Sequence, residues 1–78
     1  MSSIQKFLDA IELLKKSNKI SDLKEQIKEY SREVTFTHKV HKIGFKMTID
    51  TRFNGFQAIN IVDVNYNEYS LTLLLTII

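Results

Sequence analysis

Two histidines, His38 and His41, are the side chains of this 78-residue chain best suited to metal binding or proton transfer. They lie three positions apart, and positions i and i+3 of a strand point to opposite faces of a sheet. The chain has no cysteine, and no carboxylate adjoins the pair to complete a ligand set. We therefore expect no metal site, and predict that His38 faces the core while His41 lies in an exposed loop.

Catalytic motifs are also missing from the sequence. There is no G-x-S-x-G elbow, and Gly44 and Gly55 are the only glycines, so no glycine-rich phosphate loop is present. Paired carboxylates in a cleft-forming context are absent as well. We therefore predict a protein that is not an enzyme and holds no cofactor.

The cationic side chains are concentrated in the middle of the chain. The formal net charge is +2, but residues 34–53 carry four cations and one anion. Such an excess can bind an acidic protein surface or the phosphates of a nucleic acid. We predict that the partner-binding residues are these four cations: Lys39, Lys42, Lys46 and Arg52.

The elements that position these groups follow from the spacing of apolar residues. Helical spacing predicts a first helix over Ser3–Lys16 and a second over Asp22–Arg32. From Val34 onward the period changes to two, which predicts half-buried strands. The segment Val34–Asp50 is either two strands joined by a turn at His41-Lys42 or one bulged strand.

The dipeptide Asn54-Gly55 predicts a type I′ hairpin turn, which places Phe53 opposite Phe56. Extending this register places Met47 opposite Val62. A further turn near Tyr66-Asn67 then leads into a last strand that runs to the end of the sequence.

Together these elements predict one α+β domain over residues 1–78, an N-terminal two-helix hairpin packed on one face of an antiparallel four-stranded meander sheet. The predicted outer face is basic on one side and apolar on the other. We predict self-association through its exposed apolar side chains, Ile59, Ile61 and Leu74. A homodimer through the last strand or the outer face would cover an edge that is otherwise prone to aggregate.

The absence of cysteine favours a reducing compartment, and we expect a cytoplasmic protein. The N-terminal segment lacks the pattern of a signal peptide. The apolar run at residues 71–78 covers eight positions, whereas a membrane-spanning helix needs about 20. We expect no membrane association.

The chain is short, lacks cysteine, tryptophan and proline, and is rich in lysine, isoleucine and asparagine. In this general character it resembles the small proteins that phages and mobile elements encode against host defences, anti-CRISPR proteins among them. The resemblance implies stoichiometric binding to a large complex, often at a nucleic-acid channel or nuclease site. We predict a protein-binding inhibitor of a host defence or nucleic-acid-processing complex.

The alternative is a small basic RNA- or DNA-binding protein that uses the outer sheet face. Base stacking on that face would need exposed rings. The predicted register instead places four phenylalanines on the core side: Phe36, Phe45, Phe53 and Phe56.

Overall fold

The structure, a computed structural model, describes residues 3–52 and 59–78. Its elements are α1 Ser3–Lys16, β1 Ile20–Ile27, β2 Ser31–His38, β3 Ile43–Asp50, β4 Asn60–Asp63 and α2 Leu71–Ile77. The strands form one antiparallel sheet in the order β1-β2-β3-β4. The predicted α+β class and antiparallel sheet are therefore confirmed, as is the first helix over Ser3–Lys16.

The predicted N-terminal two-helix hairpin is wrong, because a single helix precedes the sheet. Residues 22–32, predicted as the second helix, form most of β1, a turn and the start of β2. Leu23, Ile27 and Tyr30 have helical spacing, but such spacing alone gives a short helix little stability, and the segment from Ile20 to Ile27 pairs with β2. Pairing as a strand instead satisfies the backbone groups of β2.

The predicted last strand is also wrong, because residues 71–77 form α2. The Ser70 side chain caps this helix by accepting a hydrogen bond from the Leu73 N–H at 3.1 Å. Leucine favours helix, and the segment LTLLLTI lacks the regular alternation of a half-buried strand. The homodimer predicted to form by pairing of a last strand therefore has no such strand to use in residues 71–77.

One hydrophobic core lies between the two helices and the inner face of the sheet. The phenyl rings of Phe36 and Phe45 stack at its centre, 5.4 Å apart. The remaining buried members come from both helices and three strands: Phe7, Ala10, Ile11, Leu14, Val34, Met47, Ile49, Ile61 and Leu74. The helices therefore cover one face of the sheet and leave the other face bare.

β2 and β3 are two strands joined by a loop over residues 39–42, so the single bulged strand is excluded. His38 pairs with Ile43 and Phe36 with Phe45, whereas a two-residue turn at His41-Lys42 predicted His38 opposite Phe45. The loop is two residues longer than predicted. An even shift leaves every side chain on its predicted face.

The register between β3 and β4 differs from the prediction by one residue. Met47 pairs with Ile61 instead of Val62, and Phe45 pairs with Asp63. A slip of one residue moves every side chain of a strand to the other face. Ile61 and Asp63 therefore point inward and Val62 outward; the Asn54-Gly55 turn, from which the register was extended, lies outside the described residues.

Candidate binding groove on the outer sheet face

The bare outer face of the sheet carries an open groove of about 470 Å³, which we call the outer groove. Side chains from all four strands and from the loop after β4 contribute to its surface. The lining residues that matter chemically are Lys24, Thr35, Gly44, Lys46, Val64 and Tyr66.

Gly44 lies in the lining of this surface, where the side chain of Val64 packs beside its backbone. It pairs with Thr37 on β2, and its carbonyl accepts a hydrogen bond from the Val64 N–H at 3.1 Å. A Cβ atom at this position would lie 3.2 Å from Val64 Cγ1. Glycine in the interior of a strand weakens it, and often marks a place where another chain or ligand approaches the backbone closely.

The apolar wall of the outer groove is formed by Val64 and Tyr66, in the loop that follows β4. Their side chains are 68% and 86% exposed. Tyr66 adopts a left-handed backbone conformation with φ 64°, and its N–H donates to the Asp63 carbonyl at 3.0 Å. The wall is therefore an ordered structure that places two large side chains in solvent.

Asp63 organises this loop from the inner side. Its carboxylate accepts hydrogen bonds from the backbone N–H groups of Asn65 and Asn67 at 2.8 and 3.0 Å. It also accepts from the Tyr69 hydroxyl at 2.7 Å and the Asn67 side-chain amide at 3.1 Å. Four donors thus stabilise a carboxylate in a side chain that is only 4% exposed.

These donors determine the electrostatics of the pair formed by Asp63 and Tyr69. The hydrogen bond from Tyr69 is the largest influence that lowers the pKa of Asp63, followed by the bonds from Asn67, while burial acts in the opposite direction. The same hydrogen bond raises the pKa of Tyr69. The hydrogen bonds to Asp63 therefore favour its anionic form, which holds the loop.

Sequence reasoning missed the role of Asp63, although a signal was present. Aspartate followed by Asn65 and Asn67 at intervals of two is typical of turns closed by a carboxylate that accepts backbone N–H groups. The predicted register, with Met47 opposite Val62, also places Asp63 opposite Lys46 on the outer face, whereas the structure pairs Lys46 with Val62.

One cation of the groove, Lys46, lies near Glu33, which is also close to Lys28 outside the groove lining. Glu33 Oε1 is 3.5 Å from Lys28 Nζ and 3.9 Å from Lys46 Nζ. The lysine side chains remain about half exposed, so these are surface ion pairs worth about 0–1 kcal/mol each. Lys24 also lines the groove. The groove can therefore offer two ammonium groups to an acidic partner at little energetic cost.

The structure does not bring the four predicted partner-binding cations into one patch. Lys46 lines the outer groove. Lys39 and Lys42 lie in the loop between β2 and β3, whereas Arg52 follows the far end of β3. The length of β3 alone separates the two ends by about 23 Å, at about 3.3 Å per residue.

Arg52 is engaged within its own chain. Its Nε donates to both carboxylate oxygens of Asp50, at 3.1 and 3.0 Å, and its guanidinium lies 5.7 Å from the centroid of the Tyr30 ring. These hydrogen bonds from Arg52 lower the pKa of Asp50. A partner would have to compete with this pair for the guanidinium.

The three predicted self-association residues do not form an exposed patch. Ile61 is 1% and Leu74 0% exposed, and Ile59 packs partly buried against the core. Their predicted outer-face positions are wrong for two reasons: the one-residue register shift turns Ile61 inward, and the helical form of α2 turns Leu74 onto the core.

The two histidines are placed as predicted. His38 is buried, and its Nε2 lies 2.7 Å from the Ile77 carbonyl oxygen while its Nδ1 accepts from the His41 N–H at 3.2 Å. Nε2 must therefore carry the proton, and both nitrogens are used within the fold. His41 is exposed in the loop.

Two classes of feature were searched for in residues 3–52 and 59–78. No three histidine or carboxylate side chains there come together as a metal site. None of the helices in these ranges is both long and apolar enough to cross a bilayer.

Comparisons with protein-family models, with curated proteins and with solved structures gave no match to this chain. The geometry of the described residues is therefore the basis for assigning a function.

Proposed function

We propose that the chain is a non-enzymatic protein-binding module that holds a segment of its partner in the outer groove. The observation that carries this proposal is the groove of about 470 Å³ itself, lined by the backbone of Gly44 and by the exposed wall of Val64 and Tyr66.

The wall of Val64 and Tyr66 supports the proposal because its conformation and exposure are energetically unfavourable in the isolated protein. A non-glycine residue with positive φ is uncommon and costs free energy, and a tyrosine that is 86% exposed recovers little by burial. Tyrosine is among the residues most often found as anchors in protein interfaces. The four hydrogen bonds to Asp63 hold the wall in place before binding, which reduces the entropy lost on association.

The charge of the groove favours a particular kind of partner. Lys24 and Lys46 line the groove with one exposed carboxylate, Asp22, so the exposed side chains of the lining keep an excess of positive charge. Val62 and Val64 give the groove an apolar side. A segment carrying a carboxylate near an apolar side chain would satisfy both halves. We therefore propose an acidic, partly apolar segment of another protein as the ligand.

The finer proposal is that stoichiometric binding inhibits a host defence or nucleic-acid-processing complex. The general resemblance to anti-CRISPR-type proteins supports this step. Nucleic acid on the outer face is the weaker alternative, because Tyr66 is the one exposed ring among the described residues of the groove lining. In addition, Asp22 lines the groove with the lysines, and Glu33 lies between Lys28 and Lys46. Self-association through the outer face is a further proposal, to be tested by hydrodynamic mass.

Gly44→Thr tests the groove without harming the fold. Threonine favours strands, and Val64 is exposed enough to move aside, so we expect the free energy of unfolding to stay within about 1 kcal/mol of wild type. The new side chain would occupy part of the groove beside Val64. We expect affinity for a partner captured from the native host to fall at least about tenfold, equivalent to about 1.4 kcal/mol.

The affinity is measured by isothermal titration calorimetry with the purified partner. Lys46→Glu should also weaken binding, whereas Lys6→Glu, the same charge change at an exposed position of α1, should not. Full affinity in a correctly folded Gly44→Thr variant would show that the groove is not the binding site.

A further inference from the structure

Four lysines gather at one end of the molecule, next to the part of the outer groove that Thr37 and Gly44 line. We call this surface the basic end; its members are Lys16, Lys19, Lys39 and Lys42, all exposed. They come from the last turn of α1, the approach to β1 and the loop between β2 and β3. They are distant in sequence, so their meeting is a property of the fold.

Backbone pairing brings these segments together. Ile20 is paired with His38, and beyond this pair the Lys39 N–H donates to the Lys19 carbonyl at 2.8 Å. Lys42 is held on the same loop by its N–H, which donates to the His38 carbonyl at 2.7 Å. The strand ends therefore fix where three of the four lysines emerge.

The end of α1 is anchored at the same place. The Ser17 N–H donates to the Leu13 and Leu14 carbonyls at 3.1 and 3.2 Å, and the Ile20 N–H donates to the Ser17 carbonyl at 3.4 Å. These bonds close a short connection between Lys16 and Lys19. The lysines are thus carried on ordered backbone.

The basic end is flanked in sequence by Glu12, four positions before Lys16, and by Asp22, three positions after Lys19, but its own segments hold no carboxylate side chain. Residues 16–21 and 37–44 contain no aspartate or glutamate. Within the described part of the chain, none of the four lysines has a carboxylate within ion-pair distance, whereas neighbouring Lys15 lies 3.0 Å from Glu25. Their positive charge is therefore available to an external polyanion.

We infer that the basic end binds the phosphodiester backbone of nucleic acid without reading its sequence. Lysine ammonium groups neutralise phosphates as point charges, and the exposed Asn18 and His41 between them add further hydrogen-bonding groups. A membrane surface fits less well as the ligand. Protein elements that lie in the membrane interface bury a broad apolar face there. Val40 is the one apolar side chain of the 39–42 loop.

This inference gives a quantitative expectation. Each phosphate neutralised releases counterions, so the logarithm of the association constant falls linearly with the logarithm of salt concentration. With four lysines engaged, the slope should be about −3.6 for duplex DNA, from 4 × 0.9, and about −2.8 for a single strand, from 4 × 0.7.

The test is a fluorescence polarisation titration of labelled duplex DNA and single-stranded RNA over a range of salt concentrations. The variant Lys39→Gln/Lys42→Asn removes two charges; asparagine is chosen because Lys42 has φ 56°, which asparagine tolerates well. We expect it to reduce the duplex slope by about 1.8, from 2 × 0.9. The control Lys6→Gln/Lys28→Gln removes the same charge elsewhere and should leave the slope unchanged.

Circular dichroism and thermal unfolding confirm that each variant is folded. The Gly44→Thr variant should bind nucleic acid like wild type, which separates this site from the outer groove. The inference would be overturned by no binding at low salt, by equal losses in the variant and its control, or by binding to anionic phosphatidylserine vesicles but not to nucleic acid.

Discussion

At the scale of single residues, the buried carboxylate of Asp63 joins the core to the binding surface. Its inner position follows from pairing with Phe45, and its four hydrogen bonds shape the loop that presents Val64 and Tyr66. The stability of this loop should therefore depend on pH.

Acid is expected to destabilise the protein through Asp63. A pKa that is lower in the folded than in the unfolded state contributes stability that is fully present above the unfolded value of about 3.9. That contribution is lost as the pH falls through the folded-state pKa. Asp50, whose pKa is also lowered, should contribute in the same direction.

Asp63→Asn should lower the denaturant midpoint at neutral pH, because an amide NH₂ would face groups that donate hydrogen bonds. Its stability should also depend less on pH in the acidic range than that of wild type. Urea unfolding followed by circular dichroism at several pH values measures both effects. Asp9→Asn, an exposed change on α1, is the control; a neutral-pH midpoint equal to wild type for Asp63→Asn would contradict the role assigned to this carboxylate.

At the scale of elements, the sequence predicts correctly those helices and strands in which the spacing of apolar residues matches the spacing of buried side chains. Helix α1 and the inward sets of β2 and β3 are of this kind. The segment of β1 has helical spacing but forms a strand. Hydrogen-bonded pairing with the β2 backbone outweighs the local preference for helix. Its register with β2 is also interrupted between Ser21 and Lys24, where Asp22 has φ 54°, and such a bulge leaves no periodic signal.

The register of β4 with β3 could not be derived from the sequence, because it was extended from one predicted turn. A single extra residue between the two strands exchanges the inward and outward side chains of β4. Ile61→Ala and Val62→Ala test the register directly. We expect Ile61→Ala to lower the free energy of unfolding by about 2–5 kcal/mol and Val62→Ala by less than about 1 kcal/mol. Denaturant titrations measure both values, and the reverse order would support the register in which Val62 faces the core.

At the scale of the whole molecule, the fold presents three surfaces, of which the outer groove and the basic end adjoin at the end of β2 and the start of β3. Two helices close one face of the sheet, the outer groove occupies the other, and the basic end lies where the β2–β3 loop meets the start of β1. Length and composition indicated one small α+β domain with cationic surfaces. The grouping of Lys16 and Lys19 with Lys39 and Lys42 could not be predicted, because it depends on a strand that the sequence pattern represented as a helix.

The central claim is that the partner lies on the outer groove, and photo-crosslinking tests it most directly. The photoreactive residue p-benzoylphenylalanine in place of Tyr66 should crosslink to the captured partner, since Tyr66 forms the wall of the groove. The same residue in place of Leu13, which is 47% exposed on α1, should not. A crosslink from position 13 without one from position 66 would place the partner on the helical face and contradict the account.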